Sequence, residues 1–163
     1  MGTNYYRIPK SHEVTERMQK LNLRIQALDY WDPYLTHNEF RVIDDPDDNW
    51  SKMNPWDEFT KDLNVHLGKR SGGWKFCWNF HNNKYYSNKE ELFEFIRSGR
   101  VVDEYGEKID CEEFIKMALE WCEDGWDTQT YYERNPTTHY IDYTKYRDTY
   151  VDGLRVSPSI EFS

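Results

Sequence analysis

The amino-acid sequence predicts an α+β fold: a small, mainly antiparallel sheet packed by about three helices in a single compact domain, residues 1–163. Three observations lead there. Trp74-Lys75-Phe76-Cys77-Trp78-Asn79-Phe80 alternates large apolar with small or polar residues, the two-residue period of a half-buried strand. Elsewhere apolar residues recur at three- and four-residue steps behind helix-capping residues. Finally, 17% of the chain is aromatic against 37% hydrophobic in all, with seven Trp and thirteen Tyr, so the core is expected to be built from rings more than from aliphatic chains. That aromatic content also argues against disorder.

Taken in order, Thr3–Ile8 is rich in aromatic and β-branched residues and stops at Pro9, the pattern of a short first strand. Ser11 stands at an N-cap position with Glu13 in the first turn. Val14, Met18, Leu21, Ile25 and Leu28 then fall on one face of a helix over about 12–28, a stripe suited to docking on a sheet. Residues 29–60 lose all periodicity, broken at Asp32-Pro33, Asp45-Pro46 and Asn54-Pro55. This stretch reads as an acidic, aromatic-rich insertion. Asn64–Leu67 should enter a loop over Gly68–Gly73, and Trp74–Phe80 should be the returning strand, with Trp74, Phe76, Trp78 and Phe80 on its strong face. Ser87-Asn88-Lys89-Glu90 has capping-box spacing and opens a helix carrying Leu92, Phe93 and Ile96 and ending at Gly99. Val101–Ile109 is a short strand and turn. Asp110 with Glu113 repeats the capping spacing ahead of Phe114, Ile115, Ala118, Leu119 and Cys122, a helix ending near Gly125. Asp152-Gly153 is a tight-turn pair, and Leu154–Val156 and Ile160–Phe162 are expected as final strands.

The formal net charge of −9 argues against binding of free nucleic acid, whose affinity is dominated by neutralising phosphates. The charge is also uneven. Asp29–Glu58 holds nine acids against Arg41 and Lys52, whereas His66–Arg100 holds seven cations against three acids. No run approaches the roughly 18 apolar residues of a membrane span, so no membrane partner is expected. Three cysteines without a Cys-x-x-Cys pair suggest reduced thiols and a cytoplasmic protein.

The candidate ligand site is Lys69, Arg70, Ser71, Gly72, Gly73 and Trp74. Glycines let backbone amides turn towards an anion, serine adds a donor, the cations supply charge, and Trp74 or Trp78 offers a ring for stacking. The Walker spacing is missing. A plain hairpin turn with glycine at positive φ and solvated cations explains the same residues. His66, His81 and His139 are the histidines for a metal centre, but no ligand spacing supports one, and no cofactor is expected. Asp103-Glu104-Tyr105-Gly106 has carboxylates for acid–base work, or simply the composition of a turn. The candidate partner surface is Asp44, Asp45, Asp47, Asp48, Trp50 and Trp56.

The opening Met1-Gly2-Thr3-Asn4-Tyr5-Tyr6, the central His66–Phe76 stretch, Val101-Val102-Asp103-Glu104-Tyr105-Gly106 and the ending Asp152-Gly153…Phe162-Ser163 together resemble a family of small proteins of tailed bacteriophages and their bacterial hosts. Many of its members carry a short Cys-x-x-Cys segment after the opening; this chain has the helix and the acidic insertion instead, so a metal-ribbon reading does not transfer. The family brings no established activity. The resemblance implies a phage accessory protein in the cytoplasm of an infected bacterium, acting by binding to inhibit or divert a host defence or regulatory factor. The alternative is a protein that sequesters a phosphorylated small molecule or signalling nucleotide on Gly68–Gly73. A metal-dependent nuclease or phosphodiesterase comes third.

Overall fold

The computed structural model of the protein describes residues 2–26, 59–81, 84–134 and 148–156. The chain divides into two compact units, Met1–Ile8 with Asn64–Ser163, and Pro9–Leu63. The second unit contains helix α1 (Ser11–Gln26). Its Lys10 N–H is bonded by Glu13 at 2.8 Å, and Arg17 pairs with Asp62 at 3.0 Å.

The first unit has the α+β class expected. Its strands are β1 (Gly2–Ile8), β2 (Val65–Ser71), β3 (Cys77–Trp78), β4 (Arg100–Asp103), β5 (Lys108–Ile109), β6 (Thr149–Val151) and β7 (Leu154–Val156). They form one sheet in the order β5-β4-β1-β2-β3-β7-β6, antiparallel throughout except for the parallel β3–β7 pair. Helices α2 (Lys89–Arg97), α3 (Cys111–Glu123) and α4 (Thr128–Arg134) complete it.

Aromatic rings fill the core, as the composition foretold. Phe76, Trp78 and Phe114 are fully buried and meet edge-on, with centroids 4.8–5.9 Å apart. Tyr5 of β1 lies 5.2 Å from Phe114. Leu67, Tyr86, Leu92, Ile96, Val101, Ile115, Ala118 and Leu154 complete the cluster, joining sheet residues to α2 and α3. Each large side chain buried this way contributes about 1.5–3 kcal/mol relative to exposure.

Several local expectations shift. The strand expected over 74–80 contracts to Cys77–Trp78 because the preceding amides are used differently. Lys75 N–H donates to Trp126 O at 2.8 Å and Phe76 N–H to Trp121 O at 2.9 Å, so the segment satisfies carbonyls in and beyond the last turn of α3. The N-cap of α2 is Asn88, one residue later than the Ser87 spacing suggests. Asn88 accepts from Glu91 N–H at 2.9 Å, while Glu91 accepts from the Ser87 amide and hydroxyl at 2.8 Å. The C-cap of α2 is Ser98 in right-handed conformation. Gly99 is needed for closeness instead: a Cβ there would collide with the Arg7 guanidinium and Ile8 O. Arg7, only 4% exposed, lies 4.4 Å over the Phe95 ring and donates to Phe95 O and Ser98 Oγ at the end of α2. Asp110 caps α3 as expected, accepting from Glu112 and Glu113 N–H. Asp152-Gly153 turns β6 into β7 with φ of +48° and +81°, as the dipeptide implied. Helix α4 and strand β6 had no clear periodic signal. The proposed strand Ile160–Phe162 lies outside the described residues.

Candidate functional site

The site begins with an irregularity in β2. Tyr5 pairs with Gly68 but the next residue, Tyr6, pairs with His66, leaving Leu67 as an extra residue. This is a β-bulge, in which two residues of one strand oppose one of the other and the bulged strand changes which side it shows. Gly68 sits at the bulge because a Cβ there would run into Cys77 O and the Phe76 ring. In an unbroken ladder, without the bulge, Lys69 would share a face with buried Leu67. With it, Lys69 aligns between Asn4 of β1 and Cys77 of β3, on the side away from the aromatic core.

Lys69, Ser71, Trp74, Lys75, Cys77 and Arg155 line a cavity of about 160 Å³ there. At ~30 Å³ per water that is space for about five waters, below the ~300–1,000 Å³ of pockets enclosing a drug-sized ligand. It suits a compact polar head group. Lys69, Lys75 and Arg155 bring positive charge and Ser71 a hydroxyl.

Two carboxylates answer this charge, in different ways. Asp148 pairs with Arg155 at 2.8 Å with both side chains buried, 5% and 3% exposed, and its other oxygen accepts Thr128 N–H at 2.7 Å. Asp127 lies 3.4 Å from Lys75 Nζ and caps α4 by accepting Thr130 N–H at 2.7 Å. Burial works to raise the Asp127 carboxyl, but the Thr130 hydrogen bonds and the Lys75 charge outweigh it and hold the group below the usual carboxylate range. Tyr150 OH also reaches Asp127, at 3.4 Å. Among the described residues, Lys69, Lys75 and Arg155 line the cavity, with Asp127 and Asp148 paired to the last two.

The six residues singled out from the sequence therefore divide. Lys69, Ser71 and Trp74 meet at the cavity; Arg70 does not. It lies on the opposite face, 4.4 Å over the Trp121 ring and 3.4 Å from Asp124. The supposed loop is mostly strand, since β2 runs to Ser71. The turn itself is Gly72-Gly73, with Trp74 N–H bonded to Ser71 O at 2.9 Å and Gly73 at φ +79°, the residue type this turn position demands. The amides of Trp74 and Lys75 are thus committed within the protein, so the backbone cradle for an anion is not formed there. Trp78 is fully buried and has no face for a base, while Trp74 packs against Tyr131 at 5.1 Å and under the Arg155 guanidinium at 5.6 Å.

Lys75, Cys77 and Arg155 were missed as site residues. Lys75 and Cys77 occupy the weak face of the alternating segment, and Arg155 stands between buried Leu154 and Val156. That placement marks an arginine facing opposite to its apolar neighbours.

His66 is held between two amides: Nε2 is 3.1 Å from Asn4 Oδ1 and Nδ1 is 3.4 Å from Asn79 Nδ2. Burial, then the nearby Lys69 charge, pushes its pKa below the ordinary value. The His81 N–H donates to Asn79 Oδ1, and His139 lies outside the described residues. Among those residues no three His, Cys, Asp or Glu side chains are grouped to hold a metal ion. Asp103 serves its own turn, accepting the N–H groups of Tyr105 and Glu107 at 2.9 Å, and Glu104 accepts from Asn4. No disulfide joins Cys77, Cys111 and Cys122; burial pushes the Cys122 thiol up. Asp44, Asp45, Asp47, Asp48, Trp50 and Trp56 lie outside the described residues. No described helix is long and apolar enough to cross a membrane. Comparison with protein-family models, with curated proteins and with solved structures finds no match.

Proposed function

We propose that the protein acts by binding, and that the cavity at Lys69, Ser71, Lys75 and Arg155 takes the anionic head of a phosphorylated small molecule. The observation that carries this reading is the meeting of three cations and a hydroxyl from β2, the segment before β3, and β7 at one small cavity. Ammonium, guanidinium and hydroxyl groups are the donors that phosphate oxygens accept, and charge-assisted bonds of this kind are the strong ones. The cavity's size favours a terminal phosphoryl group over a whole nucleotide, whose remainder would extend past Trp74. Titration calorimetry with a panel of phosphorylated compounds tests the reading. Lys69→Ala should weaken binding at least about tenfold, whereas Arg70→Ala, on the other face, should leave it within about twofold. A panel in which no member binds the unaltered protein would end this reading.

A second reading is favoured by the sequence between Asp29 and Glu58, where nine acids and six aromatic residues stand against two cations. It keeps the phage-type accessory role, with Asp44, Asp45, Asp47, Asp48, Trp50 and Trp56 engaging a host protein in the bacterial cytoplasm. Its test is capture of one specific protein from an expressing host, lost when the four aspartates become asparagines. Unchanged capture would remove the acidic stretch from the mechanism. The metal-dependent nuclease or phosphodiesterase reading has no ligand grouping behind it among the described residues and is not carried forward.

A further inference from the structure

We infer that Asp127 is a built-in competitor for the anion cavity, so that a ligand binds by taking Lys75 from it. This rests on the cavity being an anion site, and it adds a residue that sets affinity and selectivity there. The two counter-carboxylates differ in how they are held. Asp148 is buried against Arg155 at 2.8 Å, a pair whose disruption leaves a charge stranded in the interior. Asp127 is the more exposed, at 16%, and its contact with Lys75 Nζ is long, 3.4 Å. Its grip on the protein does not depend on that contact, because Oδ1 is fixed by Thr130 N–H and Oδ2 is reached by Tyr150 OH. Asp127 therefore keeps its place at the start of α4 when Lys75 turns to another anion. Lys75 lines the cavity, and its longer, more exposed contact makes it easier to exchange than Arg155.

The exchange has a chemical consequence. A singly charged carboxylate ligand replaces one carboxylate contact with another and gains little. A doubly charged phosphate monoester meets Lys69 and Lys75 together and gains a contact that Asp127 did not provide. The cavity should therefore prefer phosphate dianions to carboxylates, with Asp127 enforcing much of the difference.

Titration of inorganic phosphate and of acetate into the full chain tests this, using the unaltered protein, Asp127→Asn, Asp127→Ser and Asp124→Asn. Asparagine and serine both serve as N-caps, so either variant retains the hydrogen bond to Thr130; thermal melts check the fold. Asp124→Asn removes the same charge beside Arg70 on the other face. The expected result is about three- to tenfold tighter phosphate binding in both Asp127 variants. The phosphate-over-acetate ratio should narrow, and Asp124→Asn should stay close to the unaltered protein. Phosphate binding by the Asp127 variants alone would equally support the competitor. If the unaltered protein binds phosphate and the Asp127 variants bind no tighter, the competitor is overturned while the anion site stands. Equal tightening in Asp124→Asn would reduce the effect to overall charge and overturn it too. Failure of all four proteins to bind phosphate would remove the site as well as its competitor.

Discussion

The two faces of the sheet are made by the same strands and behave as different materials. One carries Tyr5, Leu67, Phe76, Trp78, Val101 and Leu154, joined in a single cluster with α2 and α3. The other carries Asn4, His66, Lys69, Ser71, Cys77, Asn79 and Arg155, held by individual hydrogen bonds and ion pairs. On the first, Phe76 touches four rings at once. On the second, each polar atom depends on a particular neighbour, as in the chain Glu104–Asn4–His66–Asn79. Stability therefore resides mainly in one face, and selectivity in the other.

That contrast can be broken from either side. The largest effect belongs to the aromatic face: Trp78→Ala should cost about 3–5 kcal/mol in chemical denaturation, since Trp78 is fully buried against Phe76 and Phe114. A loss well below this would mean that the core is more plastic than its ring contacts imply. Next comes Gly68→Ala, at the point where the faces change over. The added methyl meets both Cys77 O and Phe76, and a cost of about 1–3 kcal/mol is expected, accompanied by weaker phosphate binding as Lys69 shifts. A neutral effect on both would show that the bulge tolerates a side chain.

The smallest effect is the pH response of the polar face. Folding lowers the His66 pKa from its ordinary 6.5, chiefly through burial. The unfolded chain then takes up a proton more readily, so stability is full above 6.5, falls as pH drops through it, and levels off below the folded value. In urea titrations between about pH 7.5 and 5.5, His66→Gln should flatten this slope relative to the unaltered protein. An identical slope in both would place the sensitivity elsewhere, while Trp78→Ala should leave the slope itself unchanged.

Much of the aromatic face was legible in the sequence because period and capping are local signals. The run from Trp74 to Phe80 announced Phe76 and Trp78, and Asp110 announced the start of α3. The strand limits were not legible, because the amides of Lys75 and Phe76 find carbonyls 51 and 45 residues away, at Trp126 and Trp121. The site was half legible for the same reason. Lys69, Ser71 and Trp74 are near one another in the chain, but Arg155 reaches the cavity only through the parallel β3–β7 pairing. Arg70 was misplaced because adjacency in sequence suggests shared function, whereas neighbours on a strand face opposite ways.

The extra residue at Leu67 gives the chain a phase. Upstream of it, even-numbered positions of β2 face the polar side; downstream, odd-numbered ones do. Were Leu67 instead paired in an unbroken ladder, the partners of everything from there to Ser71 would be exchanged, sending Lys69 towards the rings and Arg70 towards the cavity. The bulge at Leu67 is thus part of the site's specification, as much as any side chain that lines the cavity. A one-residue insertion in this segment is expected to be far less tolerated than the same change beside Asp152-Gly153.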